Sequence, residues 1–101
     1  MFGIVYRFKV RPGKAEAFID AWARMTVAIH EQRGGLGSRL HDAGDNVFFA
    51  YAQWPAREIR DASTALDSPD AQASADMRDC LESSETLLSG EVTADLLSKT
   101  E

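Results

Sequence analysis

Apolar patterns along this 101-residue chain predict an α+β protein with a four-stranded antiparallel sheet that carries its helices on one face. Residues 2–10 alternate apolar and polar side chains, as a half-buried strand does. Residues 18–29 repeat apolar side chains every three or four positions, as an amphipathic helix does. Residues 47–54 are apolar on both faces of a strand, so both of those faces need burial.

The first strand and the first helix have clear limits in the sequence. In residues 2–10, Tyr6 shares the apolar face of the strand. A proline and a glycine then break the strand, because proline has no amide proton and glycine accepts positive φ. The helix begins near Lys14 and ends at the glycine pair 34–35, which is typical of helix ends. Trp22 lies on its apolar stripe, so we expect it to face the sheet.

The second and third strands are expected to form a hairpin. Residues 44–46 supply the glycine and asparagine that tight hairpin turns prefer, so residues 36–42 and 47–54 should be antiparallel neighbours. The helix-facing side of this hairpin is predicted to contain Leu36, Ser38, Leu40, Phe48, Ala50, Ala52 and Trp54. The opposite side is predicted to contain Arg39, His41, Val47, Phe49 and Tyr51.

The C-terminal half completes the predicted fold. A proline opens a short helix over residues 56–62, and residues 68–70 have the cap, proline and acidic first turn of a longer helix. Gly90 is the predicted end of that helix, and residues 92–97 alternate as a last strand. The order β-α-β-β-α-β is the ferredoxin-like arrangement, here expected as one domain over residues 1–101.

Composition excludes several classes of protein. The net charge is −5, so no basic patch for nucleic acid is expected. No apolar run approaches the ~18 residues of a membrane span, and the N-terminus lacks a secretory pattern, so we expect a cytoplasmic protein. Cys80 is the single cysteine, which excludes an internal disulfide and a cysteine-cluster metal site.

The predicted helices cover only one side of the small sheet. Val47, Phe49 and Tyr51 present apolar surface on the other side, and a second copy of the chain is the expected cover. The sequence therefore predicts a homodimer through this sheet face.

Three segments resemble the antibiotic biosynthesis monooxygenase family of the dimeric α+β barrel superfamily. They are residues 2–14, residues 34–41 (GGLGSRLH) and residues 49–54 (FAYAQW). The resemblance covers residues 1 to about 62 well and the rest only by element order. It implies a dimeric α+β barrel in which each subunit has a pocket between its helices and its sheet.

The resemblance also implies which activities to expect. Members of the family include cofactor-free oxygenases of anthrone- and quinol-type polyketides, and related barrels include isomerases and decarboxylases. The tryptophan at the end of strand three lines the family pocket, and Trp54 matches it. The haem-degrading branch also uses a strand-one asparagine and a histidine before the last strand. Here Tyr6 occupies the first position and residues 42–101 contain no histidine, which argues against haem degradation.

Five side chains are therefore candidates for contact with a small aromatic substrate or ligand. Trp54 and Trp22 would supply aromatic walls, while Ser38, Ala50 and Ala52 would leave room beneath a helix. The alternative is that Trp54 only anchors the core. The Tyr6 hydroxyl needs a partner if its ring is buried, and that partner is either a ligand oxygen or protein and water.

His30 and His41 are the candidate bases, since histidine titrates near neutral pH. His30 lies on a flank of the first helix and His41 on the strand face away from Leu40, and either one is a structural residue if it does not reach the pocket. Their spacing does not suit a metal, and no glycine-rich dinucleotide loop is present, so no metal and no cofactor is predicted.

These observations favour an oxygenase without metal or flavin that acts on an anthrone, naphthol or quinol. Such a substrate donates electrons to oxygen once it is deprotonated, so the protein must bind it, help remove the proton and stabilise the anion. Two alternatives stay open: a ligand-binding or regulatory dimer without turnover, and a cofactor-free isomerase or lyase.

Overall fold

The computed structural model describes residues 1–97, and residues 98–101 of the expected domain lie outside that range. These residues form four strands and three helices in the order β1 (Phe2–Val10), α1 (Ala15–Arg33), β2 (Gly37–Gly44), β3 (Val47–Trp54), α2 (Arg57–Thr64), α3 (Ala71–Cys80) and β4 (Leu81–Glu91).

The four strands form one antiparallel sheet in the order β2-β3-β1-β4. β1 is central and pairs with β3 from Phe2 opposite Trp54 to Lys9 opposite Val47. On its other side β1 pairs with β4, so the two sequence-distant ends of the fold lie side by side. This is the predicted ferredoxin-like arrangement.

The predicted hairpin between β2 and β3 is confirmed. Asp45 and Asn46 both have positive φ, 55° and 63°, which is the backbone of the tight turn that matches strand twist. The Asp42 side chain accepts a hydrogen bond of 2.8 Å from the Gly44 amide and closes the turn. The pairing sets Ser38 opposite Ala52 and Leu40 opposite Ala50, which fixes their shared face.

Aromatic packing joins α1 to the centre of the sheet. Phe18 of α1 is fully buried, with its ring centroid 5.1 Å from that of Phe8 and 5.5 Å from that of Phe48. Ile4 and Val10, also on the helix-facing side of β1, are buried with it. Truncating an aromatic side chain in such a core typically lowers the free energy of unfolding by about 3–5 kcal/mol. Phe18 is therefore a main anchor of α1 on the sheet.

The C-terminal end of α1 agrees with the prediction, whereas the N-terminal cap of α3 differs from it. Gly34 caps α1 with φ of 82°, as the glycine pair indicated. Asp70, rather than Ser68, caps α3: its carboxylate accepts from the Ala73 amide at 2.9 Å. The Ser68 hydroxyl instead accepts from the Asp70 amide at 3.2 Å and supports the cap. Among the helices of residues 1–97, none has both the length and the apolar composition that crossing a bilayer requires.

The predicted end of the last helix and position of the last strand were wrong. α3 ends at Cys80, β4 begins at Leu81, and residues 92–97 form no regular secondary structure. The physical reason is that β1 needs a backbone partner along its whole length, and β4 supplies one from Leu81 to Glu91. Two register shifts, between Val5 and Tyr6 and between Lys9 and Val10, interrupt the alternation that would have marked the strand.

We call the side of the sheet away from the helices the open face: it carries Val5, Arg7, Lys9, Arg39, His41, Val47, Phe49, Tyr51 and Leu88. Val92 and Ala94, in the segment after β4, line a pocket with Val5, Tyr51 and Leu88 at one side of this face. Phe49 and Leu88 are 37% and 72% exposed. The Tyr51 ring lies directly over Gly3, where any Cβ would come within 2.8 Å of the phenol oxygen. Gly3 and the Tyr51 ring thus pack closely together on the open face.

Candidate functional site

A cavity of about 390 Å³ lies between the helix-facing side of the sheet and helices α1 and α3. Its walls are mainly apolar, with a few hydroxyl groups. The residues that line it are Tyr6, Phe8, Trp22, Met25, Thr26, Ile29, Gly35, Gly37, Ser38, Ala52, Gln53, Trp54, Met77, Ser84, Glu85 and Thr86. This size and lining suit a small, largely apolar molecule with oriented polar groups.

The two tryptophans of the chain both line this cavity. Trp54, at the end of β3, is 6% exposed and packs with Phe2 and Ile4. Trp22 comes from the apolar stripe of α1 and packs against the Phe18 cluster. Aromatic side chains thus border the cavity from the sheet and from the helix layer, which suits an aromatic guest.

Tyr6 brings a hydroxyl to the cavity wall from the middle of the sheet. It lies on β1 between Ala50 of β3 and Thr86 of β4, with its ring 6.2 Å from that of Phe8. Within residues 1–97 no hydrogen bond engages the phenol oxygen of Tyr6. The group is accordingly able to donate to an oxygen atom of a bound molecule.

Ser38 and Ala52 face each other on β2 and β3 and form part of the floor. Their small side chains leave space beside Trp54. The Ser38 hydroxyl is itself engaged, because it donates to the Tyr51 carbonyl at 3.0 Å. Ser38 therefore contributes room more than a free polar group.

Ala50 does not line the cavity, contrary to the sequence-based assignment. It is 1% exposed and belongs to the core cluster with Phe18 and Phe48. Tyr6 and Leu40, its neighbours on β1 and β2, also pack against that cluster and take the surrounding space. Strand alternation predicts on which face of the sheet a side chain lies. It does not predict whether that side chain is buried in the core or borders a cavity.

His30 is near the cavity without lining it. Its Nδ1 lies 2.6 Å from the Gly35 carbonyl oxygen, which accepts only, so Nδ1 must carry the proton and donate. The ring thus joins the last turn of α1 to the segment that follows. Gly35 itself lines the cavity. The hydrogen bond from His30, which lies outside the cavity, therefore holds a residue of the cavity wall in place.

His41 lies on the open face and is remote from the cavity of its own chain. Its ring stacks on Phe49 with the centroids 4.4 Å apart and the planes 3° from parallel. Nδ1 of His41 is buried and has no hydrogen-bond partner within residues 1–97. The strand alternation that sends Leu40 toward the helices sends His41 the other way.

Sequence reasoning missed the polar part of the wall formed by β4. Ser84 and Thr86 pair with Phe8 and Tyr6 and line the cavity, but the sequence had placed them in a helix. Glu85 borders the cavity, but it pairs with Arg7 of β1 and its carboxylate is bonded to the Arg7 side chain on the open face. A strand prediction for residues 81–91 would have brought Ser84 and Thr86 to the site.

An ion pair joins α1 to α3, the two helices that border the cavity. Arg24 of α1 donates to Asp76 of α3 at 2.7 Å and to Asp20 at 3.0 Å. The hydrogen bond from Arg24, followed by one from Gln72, lowers the pKa of Asp76 below its ordinary value. Within residues 1–97, no three histidine, cysteine, aspartate or glutamate side chains converge as a metal site requires.

Solved structures share this architecture. SnoaB, a cofactor-independent oxygenase from Streptomyces nogalater, is 20% identical, with 96% of this chain and 97% of that chain covered and a TM-score of 0.77. NE2512, a protein of unknown function from Nitrosomonas europaea, is 18% identical over 98% and 95%, with a TM-score of 0.72. A conserved protein from Methanosarcina mazei Go1 is 14% identical over 88% and 87%, with a TM-score of 0.67. At these identities the likeness establishes the fold.

No curated protein matches this chain. The family model described as antibiotic biosynthesis monooxygenase matches residues 1–77. That match runs from β1 into α3 and contains most of the cavity wall, including Tyr6, Trp22 and Trp54. The chain belongs to the antibiotic biosynthesis monooxygenase family.

Proposed function

We propose that this protein is a cofactor-independent monooxygenase that acts on an electron-rich aromatic molecule such as an anthrone, naphthol or quinol. The observation that carries the proposal is the cavity, in which two tryptophans and the Tyr6 hydroxyl surround about 390 Å³ of mainly apolar space. Membership in the family and the likeness in fold to an oxygenase add support.

The proposed reaction takes its electrons from the substrate. Loss of a proton from the anthrone methylene gives an anion that transfers one electron to dioxygen, and the resulting radical and superoxide combine at that carbon. Protonation gives a hydroperoxide, which loses water to leave a ketone. The sum is CH₂ plus O₂ giving C=O plus H₂O, so one oxygen atom enters the product and no external reductant is needed.

Five of the lining side chains have a stated role in this proposal. Trp54 stacks on the ring system of the substrate, and Trp22 encloses it from the helix layer. Tyr6 donates a hydrogen bond to the phenolate or enolate oxygen as its charge develops. Ser38 and Ala52 leave room for the rings, and the mainly apolar wall limits water around the anion.

Among the described residues that line the cavity, no histidine is present to remove the substrate proton. His30 and His41 remain the predicted bases, but His30 is bonded to Gly35 and His41 stacks on the open face. We propose instead that Tyr6 stabilises the substrate anion enough for water at the cavity mouth to take the proton. On this view neither histidine is needed for proton transfer.

We also propose that the open face binds a second copy of the chain. The apolar side chains Val5, Phe49 and Tyr51 occupy its centre, and the exposed Leu88 extends this surface on β4. Two such faces stacked together would bury an apolar layer on both sides of each sheet.

Ligand binding without turnover is the second candidate function. The specific observation in its favour is that neither histidine lies on the cavity wall within the described residues. A protein that only binds a flat aromatic needs the tryptophans and Tyr6 and needs no base.

Oxygen consumption with a panel of anthrones, naphthols and hydroquinones tests the proposal. We expect protein-dependent oxygen uptake with at least one member of the panel, and a loss of about tenfold or more in Trp54→Phe, which keeps an aromatic ring but shortens the stacking surface. Phenylalanine is preferred because alanine at a buried tryptophan costs about 3–5 kcal/mol of stability. Binding of the panel without any oxygen uptake would replace the oxygenase proposal by the binding one.

A further inference from the structure

The segment that links α1 to β2 is fixed at three points next to the cavity. Gly34 caps α1, and the Gly35 amide donates to the Ile29 carbonyl at 3.4 Å. The Leu36 amide donates to the Gln53 carbonyl of β3 at 2.8 Å. Gly35 is therefore held between the helix end and the strand that carries Trp54.

Position 35 favours glycine because there is little room for a side chain, and not because its backbone conformation requires glycine. Its φ lies outside the left-handed region, unlike that of Gly34 at 82°. A Cβ at position 35 would lie 2.7 Å from Ile29 Cγ2 and 3.7 Å from Trp54 Cη2. Both Ile29 and Trp54 line the cavity, so any side chain at position 35 must move Ile29 or press on the indole.

His30 holds this glycine in place from outside the cavity. Its Nδ1 donates to the Gly35 carbonyl at 2.6 Å, a bond between residues five positions apart. The bond is retained when the ring takes up a second proton, since Nδ1 carries its proton in both states. The position of Gly35 is thus fixed in the neutral and in the charged form of His30.

We propose that Gly35 is the specificity-determining position of the cavity and that His30 is its positioning residue. Because position 35 has no side chain, Ile29 packs directly against the glycine and is not displaced into the cavity beside the Trp54 indole. The space kept open there takes the far ring of a three-ring ligand, while a two-ring ligand does not need it. This inference rests on the proposed function for its ligand class, a flat aromatic with a phenolic or ketone oxygen. It assigns His30 a role different from that of a base.

Neighbouring residues provide the matched variants. Gly35→Ala adds one methyl group against Ile29 and Trp54 without backbone strain. Gly34→Ala adds the same methyl group at a position with positive φ, where the Cβ would meet Ile59, a residue outside the cavity wall, at 3.6 Å. Ile29→Leu removes the branched methyl group that a Cβ at position 35 would strike.

Binding is measured without oxygen, by quenching of tryptophan fluorescence, since both tryptophans line the cavity. The probes are 1-naphthol, with two rings, and 1,8-dihydroxyanthraquinone, with three. We expect Gly35→Ala to weaken the three-ring probe by about tenfold or more and the two-ring probe by less than about twofold. Gly34→Ala should lower Tm and leave the ratio of the two affinities unchanged.

Two further variants test whether the contact with Ile29 and the hydrogen bond from His30 determine the affinity for the three-ring probe. Ile29→Leu in the Gly35→Ala background should restore most of the three-ring affinity, measured against Ile29→Leu alone. His30→Phe, which keeps a ring but removes the donor, should reduce the three-ring affinity selectively. Unchanged selectivity in His30→Phe would overturn the positioning role, because a purely structural loss weakens both probes alike.

The outcomes separate this inference from the proposed function. Equal losses for both probes in Gly35→Ala, no loss, or no binding of the three-ring probe to the wild type would each overturn the inference. Size-selective binding in a protein that consumes no oxygen would uphold it while the oxygenase proposal fails.

Discussion

The two tyrosines of the chain offer a direct comparison, because they lie on opposite faces of one sheet. Tyr6 lines the cavity between the sheet and the helices. Tyr51 lies over Gly3 on the open face, where its hydroxyl accepts from Gln53 at 3.4 Å. The same chemical change at the two positions therefore separates a role in the site from a role in the sheet.

We predict that Tyr6→Phe lowers kcat of the oxygenation by about 10²-fold, because it removes the donor to the developing oxyanion and leaves the ring in place. Tyr51→Phe should change kcat by less than about twofold. Steady-state oxygen uptake on both variants, with Tm as a check on folding, makes the measurement. Equal effects at the two positions would remove Tyr6 from the mechanism.

The sequence was enough to predict which side chains lie on the helix-facing side of the sheet. It was not enough to predict how deeply each is buried or which group it hydrogen-bonds. Alternation and helical spacing brought Tyr6, Trp22, Ser38 and Trp54 to the helix-facing side, and the structure places all four on the cavity wall. Burial of Ala50 in the core depends on neighbours from two other strands. The bond of His30 to Gly35 depends on the path of the chain after a helix, which periodicity does not describe.

At the scale of elements, the ion pair between the side chains of Arg24 and Asp76 joins α1 to α3. Their side chains are 38% and 35% exposed, so solvent screens the pair and its contribution to stability is small. The pair still has a defined pH dependence. Arg24 lowers the pKa of Asp76, so the ionised carboxylate is favoured in the folded state.

We predict that the difference in Tm between wild type and Asp76→Asn is complete near neutral pH and shrinks as the pH falls below the ordinary aspartate pKa of 3.8. It should vanish once the pH passes the lowered pKa of the folded state, because a depressed carboxyl pKa stabilises only above that range. Asp20→Asn is the control, since Asp20 binds Arg24 within α1 alone. A difference in Tm that persists or grows in acid would show that the pair does not link the helices in this way.

The boundary between α3 and β4 shows why an element prediction fails. Residues 81–91 contain three leucines among polar side chains, so neither the strand nor the helix period is strong. Pairing with β1 decides the structure, and that partner is some 80 residues away in the sequence. Local patterns define β1, α1 and β3 well because those elements carry continuous apolar faces.

At the scale of the whole molecule, the open face sets the expected assembly. Its apolar centre is accessible in the single chain, with Phe49 at 37% exposure. Ile59 of α2, at 40% exposure, is an apolar residue of similar accessibility far from this face. The sequence predicted that a second copy of the chain covers β3 on this side, and that assembly stays a prediction.

We predict that the protein sediments at twice the chain mass of 11.1 kDa and that Phe49→Arg shifts it toward a single copy. A charge at the centre of a buried apolar layer has no partner and is costly to desolvate. Ile59→Arg should leave the sedimentation unchanged. Wild type that sediments as a single copy at micromolar concentration would contradict the dimer.

The central claim is that the cavity beside Trp54 binds a flat aromatic molecule. A crystal structure of the protein with 1,8-dihydroxyanthraquinone tests it most directly. We predict ring density against the Trp54 indole, with a ligand oxygen within hydrogen-bond distance of the Tyr6 hydroxyl. A ligand seated on the open face, or a cavity left unoccupied at saturating ligand, would contradict the claim.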